Sequence, residues 1–291
     1  MLTLMRIPKA NWVRVLRRCV RRVFEERLLG EAAAVAFYAL LAIFPALASL
    51  VLLSGTMVDP VVAAERLQSF AGSLPAGASE MVGEVLGRTA THGGGQLGLG
   101  AGLAAAALWS ATAAAAQLFG ALNLIYRVRE GRSTVRMLGT AFLVSLGAVA
   151  FIALALGGVL ALPVVLGNQA GVDGCTNWLL HVLRWPALLV VVSIALAYVY
   201  RHGPSRASPP WKWVSWGGAV AAFGWLLCSV AVSWYVQGIG GYDWLYGSAG
   251  AVLGFMLWAW VSSAAILIGA VINAELEHEA TLGSEQTQLH R

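Results

Sequence analysis

The sequence predicts an all-α polytopic membrane protein: a bundle of six transmembrane helices, preceded by an amphipathic helix at the membrane interface. Three observations predict it. Only 11% of the 291 residues are charged and 59% are hydrophobic, whereas soluble domains carry about 25% charged residues. The apolar residues fall in runs of about 20 or more, the length a hydrocarbon core of about 30 Å requires. The 19 Lys and Arg are concentrated in alternate connections instead of being spread along the chain. The 12 Trp agree with this class, because Trp favours the membrane–water interface.

The first 30 residues are basic, with Arg6, Lys9, Arg14, Arg17, Arg18, Arg21, Arg22 and Arg27. They do not read as a cleavable signal, which has a short basic region followed by about 7–15 apolar residues. Within residues 11–28, Trp12, Val15, Leu16, Cys19, Val20, Val23 and Phe24 recur at helical spacing. The arginines fall largely between them. This pattern predicts a helix on the inner leaflet, with Arg14, Arg17, Arg18, Arg21 and Arg22 on anionic lipid headgroups. Nucleic-acid binding by the same arginines is the weaker reading, since it leaves the apolar stripe uncovered.

The membrane domain covers 31–277, with spans at about 32–55, 97–117, 138–161, 179–200, 213–236 and 247–273. The second is rich in Ala and Gly. The last is longer than the core is thick, so it tilts or extends beyond it. Between the first two lies the longest outer loop, 56–96. There Asp59-Pro60 starts a helix, and Gly93-Gly94-Gly95 links on to the second span. The loop reads equally as a cap over the bundle or as surface decoration. Residues 278–291 form a polar tail.

Orientation follows from the basic residues. Arg127, Arg129, Arg132 and Arg136 occupy one connection, and Arg201, Arg206 and Lys212 another. With the N-terminal segment and Arg291, sixteen of the 19 lie on one side, leaving Arg66, Arg88 and Arg184 on the other. The positive-inside rule places both termini in the cytoplasm.

Two groups of residues are candidates for function. Pro45 interrupts the first span, and a proline there frees a backbone carbonyl and bends the helix. Such helices line binding sites in transporters; a static packing kink is the plain alternative. Tyr38, Trp109, Ser110, Tyr246 and Ser248 join it as candidates for a substrate path or hinge. The second group is polar and gathers at the inner ends of the spans: Glu31, Gln117, Asn123, Tyr126, Arg127, Arg129, Asn273 and Glu275. A carboxylate at that depth needs a cation, so a contact between Glu275 and an arginine is expected. The group reads as an inner gate or headgroup site, or else as interfacial anchoring.

Several chemistries lack residues. No ionisable side chain stands near the middle of a span, which argues against a proton relay. Cys19, Cys175 and Cys228 show no metal or CxxC spacing, and the five histidines are scattered. No catalytic residues, metal ligands or cofactor motif emerge. Gly98-x-x-x-Gly102 and Gly250-x-x-x-Gly254 permit close helix contact, within one chain or between copies in a homo-oligomer.

The motifs together resemble the YihY/BrkB family of bacterial inner-membrane proteins, some once labelled ribonuclease BN-like. The carriers are AAAVAFYALLAIFPAL in the first span, WSATAAAAQLFGALNLIYRVREGR at 109–132, YRHGP at 200–204, Trp211, YGSAGAVLGFMLW at 246–258 and GAVINAELE at 269–277. The resemblance covers about residues 20–279. It implies six spans with both ends inside, and an unsettled activity linked in some relatives to serum resistance or envelope lipids. One departure is Val271, where relatives often carry an acidic residue; Asn273 and Glu275 match. Another is Thr112-Ala113, where many relatives carry serines. The favoured function is a transporter or lipid-translocating protein for an amphiphilic or anionic envelope substrate, with membrane lipids as partners and no nucleic acid. A scaffold protein without transport is the alternative, and a ribonuclease comes third.

Overall fold

The computed structural model describes residues 9–54, 96–167, 174–206, 211–238 and 249–289. These residues form seven helices: α1 (Lys9–Glu25), α2 (Leu28–Ser54), α3 (Gln96–Ile125), α4 (Thr134–Gly167), α5 (Gly174–His202), α6 (Trp211–Gly238) and α7 (Ala249–Leu289). Helices α2 to α7 overlap the six expected apolar runs, and α7 continues 16 residues past the expected end at 273. Five stretches among the described residues are long and apolar enough to cross a membrane: Leu28–Ala46, Gly98–Ile125, Thr134–Phe151, Gly217–Tyr235 and Val252–Glu279. In α5 the described apolar stretch, Leu189–His202, is shorter. The 56–96 loop, apart from Gln96 at the start of α3, lies outside the described residues, as do Tyr246 and Ser248.

The helices are mostly apolar on all sides, as expected where lipid surrounds them. α2 packs along α3, α3 against α4, and α7 against both α2 and α6, while α5 lies on α6. Antiparallel alternation brings the first turns of α2, α4 and α6 beside the last turns of α3 and α5 and the Gly269–Glu279 part of α7. The most deeply buried side chains gather at that end: Leu28, Phe119, Leu122, Ile125, Tyr200, Leu267 and Val271.

Close contact there depends on glycines other than those expected. A Cβ on Gly269 would stand 2.5 Å from the Ala221 Cβ and 2.9 Å from the Gly217 carbonyl oxygen. A Cβ on Gly217 would stand 2.6 Å from that of Asn273. Gly217 and Gly269 therefore let the α6 and α7 backbones meet. Gly98 and Gly102, by contrast, have open space where a Cβ would be among the described residues.

The polar C-terminal segment is helical as far as Leu289. It continues α7 to Leu289 as one helix of 41 residues, about 60 Å at 1.5 Å per residue.

Candidate functional site

α1 places its residues on three faces. Val15, Cys19 and Arg22 are buried against the bundle, mainly against α7. Val13, Leu16, Val20 and Phe24 form an apolar stripe 53–74% exposed. Arg14, Arg17 and Arg21 are exposed on the third face. The apolar pattern seen in the sequence thus divides: Val15 and Cys19 pack on protein, and only the stripe remains for lipid.

Arg22 does not reach toward headgroups, contrary to expectation. Its side chain is buried, and its guanidinium is shared among three partners. Nε donates to Glu26 at 2.8 Å, one terminal nitrogen donates to Glu275 at 3.0 Å, and the other donates to the Ile125 carbonyl at 2.6 Å. That carbonyl lies in the last turn of α3, at the negative end of the helix dipole, where a cation is favoured. Arg18 adds Glu279 at 2.7 Å and Glu275 at 3.7 Å. The cation expected for Glu275 therefore comes from α1, not from the loop carrying Arg127 and Arg129. Burial alone lowers the Arg22 pKa, but the Glu26 and Glu275 carboxylates outweigh it and raise it. Cys19, desolvated by burial and faced by Glu275, has its thiol pushed up to about 11.

Beside this ion-pair group is a cleft of about 290 Å³, lined by Arg18, Arg21, Arg22, Glu25, Glu26, Arg127, Glu275 and His278. Arg127 reaches it from an unusual backbone. The Val128 amide donates to the Asn123 carbonyl and the Arg127 amide to the Leu124 carbonyl. This is the paired bonding of a Schellman cap, and Arg127 holds its left-handed position with φ 54°. Glycine normally takes that place; another residue costs about 1–2 kcal/mol there. Arg27, with φ 52°, makes the turn from α1 into α2.

The remaining members of the polar group fall into three local networks. Gln117 donates to Glu31 at 2.7 Å across α3 and α2. Asn273 donates to the Tyr126 hydroxyl at 2.9 Å, and Arg206 stacks 3.9 Å over the Tyr126 ring while pairing with Glu277 at 2.7 Å. Asn123 donates to Glu130 and accepts from the Ser205 amide, both at 2.8 Å. Arg132 in turn holds Glu130 and donates to the Gly203 carbonyl, tying the α3–α4 turn to the α5–α6 turn. The Arg132 hydrogen bonds depress the Glu130 pKa to about 2. Burial raises that of Tyr126, against the Asn273 hydrogen bond. Arg129 is exposed. The Asn273 side-chain oxygen, Oδ1, is buried and without a partner among the described residues.

The candidate path is not assembled in this way. Trp109 is 79% exposed and faces away from the bundle, while its neighbour Ser110 is buried, so the two do not line one path. Tyr38 and Pro45 are half-buried, and α2 continues through Pro45 to Ser54 as one helix. One turn later the Ser49 hydroxyl donates to the Gly100 carbonyl of α3 at 2.9 Å.

Sequence reasoning missed Glu26, Glu130, Arg132, Arg206 and Glu277 as members of the site. One signal was available: Arg18 and Arg22 share the α1 face of Val15 and Cys19, at i, i+4 spacing. A face that mixes apolar residues with arginines predicts docking on protein carboxylates.

Residues 19–291 match the family described as virulence factor BrkB. The chain belongs to that family. Among its relatives, the ribonuclease-like protein YfkH of Bacillus subtilis is 29% identical over 88% of this chain and 92% of its own length. A UPF0761 membrane protein of Nitrosospira multiformis is 33% identical over 30% of this chain, and one of Methylibium petroleiphilum is 28% identical over 53%. This chain spans only 20% and 36% of those two proteins. No solved structure matches. The helices and the family make it a multi-pass membrane protein. In this BrkB-family chain Val271 is fully buried among apolar neighbours. Among the described residues no group of three or more His, Cys, Asp or Glu is placed to hold a metal.

Proposed function

We propose that this BrkB-family protein is a transporter or lipid-translocating protein for an amphiphilic or anionic envelope substrate. It resides in the bacterial inner membrane with both termini in the cytoplasm, where sixteen of its 19 basic residues then lie. One observation carries the reading: the arginine-lined cleft adjoins α1, whose Leu16, Val20 and Phe24 stripe is exposed. A charged recess next to an apolar surface suits a molecule that is charged at one end and apolar at the other. The apolar spans need no polar route for the hydrocarbon part.

The test is translocation of a fluorescent anionic lipid in proteoliposomes, read by its loss of protection from a membrane-impermeant quencher. Protein-dependent flux is expected, and it falls in Glu275→Gln, which removes one ion pair beside the cleft, and in Pro45→Leu, which removes the proline from α2. Flux equal to that of empty liposomes refutes the proposal. Full flux in both variants refutes the assignment of these residues.

A further inference from the structure

The cleft is unevenly furnished. Its inner wall is committed: Arg22 is held by Glu26, Glu275 and the Ile125 carbonyl, and Arg18 by Glu279 and Glu275. Its outer rim is not. Arg21 reaches Glu25 at 3.5 Å, and both side chains are about two-thirds exposed, so water screens the pair and it holds little. The Arg127 side chain makes no hydrogen bond or ion pair among the described residues and still faces the cleft. An anion entering there would meet the Arg127 and Arg21 guanidiniums without having to break the inner pairs.

The backbone gives a second and independent indication. Arg127 occupies the cap position that glycine fills without strain. The fold alone would be served better by glycine. The arginine held there puts its side chain at the cleft, and that side chain has no partner within the described protein.

Resting on the lipid-handling function proposed above, we infer that the cleft is a binding site for the phosphate headgroup of an anionic phospholipid, with Arg127 and Arg21 as its phosphate contacts. Guanidiniums pair with phosphate through two parallel N–H···O bonds. Phe24 stands one turn from Arg21 on α1, so acyl chains along the exposed stripe begin beside the rim of the cleft. Free phosphate shares the headgroup chemistry but cannot use the stripe.

The experiment titrates the purified full-length protein in neutral detergent with dihexanoyl phosphatidylglycerol, against dihexanoyl phosphatidylcholine and glycerol phosphate. The wild type binds phosphatidylglycerol more tightly than either control. Arg127→Gly binds it roughly tenfold to a hundredfold more weakly, the loss of one charge-assisted contact, yet melts at the wild-type temperature or above. Arg21→Gln, on the exposed rim, weakens binding with no change in melting, and Arg127→Lys restores part of the affinity. Arg127→Gly that binds phosphatidylglycerol like the wild type overturns the site. Glycerol phosphate binding as tightly as the lipid overturns its assignment to lipid. Binding as expected without proteoliposome flux refutes translocation and leaves the headgroup site standing; flux with unchanged Arg127→Gly binding does the reverse.

Discussion

Replacing either partner of the Arg22–Glu275 pair should loosen α1, and the two replacements should not be equivalent. In Glu275→Gln, Arg22 keeps both bonds to Glu26 and its bond to Ile125, and Arg18 keeps Glu279. One charge-assisted contact out of several is lost, about 1.5–3 kcal/mol. In Arg22→Met, Glu275 stays buried with only Arg18 at 3.7 Å, and the Ile125 carbonyl loses its donor. Removing one partner of a buried pair in this way costs about 3–5 kcal/mol. Cys19 reports the difference, because it is 4% exposed against the bundle and its thiol, raised to about 11, is nearly all protonated near neutrality. In a Cys175→Ser, Cys228→Ser background, alkylation of Cys19 at pH 8 should be slow in the parent. At 1.4 kcal/mol per tenfold, it should be roughly tenfold to a hundredfold faster in Glu275→Gln and faster still in Arg22→Met. Combining Arg22→Met with Glu275→Met should recover part of the protection, since a buried pair replaced by apolar residues is often neutral. Equal rates in the parent and Glu275→Gln, or a slower rate in Arg22→Met than in Glu275→Gln, would refute the reasoning.

Three further outcomes are expected. Gly269→Ala should destabilise the α6–α7 contact by about 1–3 kcal/mol, because the new methyl meets the Gly217 backbone and Ala221, whereas Gly102→Ala should be tolerated; thermal melting in detergent compares them. Glu130 has a depressed pKa, so its contribution to stability is complete above the ordinary carboxylate range and is lost as pH falls toward about 2; Glu130→Gln should flatten the acid limb of stability between about pH 4.5 and pH 2, and an unchanged limb would contradict this. A nitroxide at Leu16, 64% exposed on α1, should be more accessible to oxygen than to a water-soluble nickel chelate in bilayers; the opposite order would remove α1 from the lipid surface.

The spans were legible because lipid imposes a length and an apolar composition on every helix that crosses it. Their register was not. Gly98 and Gly102 have the spacing of a contact motif, yet the contact is made by Gly217 and Gly269, since spacing alone does not say which face meets a neighbour. The polar group at one end of the bundle was readable as a group, because Glu31, Asn273 and Glu275 follow or precede apolar runs and cannot be left in hydrocarbon alone. Its pairings needed the fold: Glu275 lies 253 residues from Arg22 in sequence. Arg127 was nameable from its charge, but the backbone strain that distinguishes it from Arg129 follows from where α3 ends and how its cap closes.

The length of α7 makes the protein a gauge of its own bilayer. Its apolar stretch, Val252–Glu279, is 28 residues, about 42 Å against a hydrocarbon core of about 30 Å. Glu275 and Glu279 are in its last turns, so their height above the acyl chains depends on how far the helix tilts. A thick membrane draws these carboxylates and their arginines toward hydrocarbon, where leaving a charge unpaired is most costly, and so holds α1 down. A thin one lifts them into water, where the same pairs are weak. The hold on α1 is therefore expected to tighten in a thicker bilayer and to loosen in a thinner one.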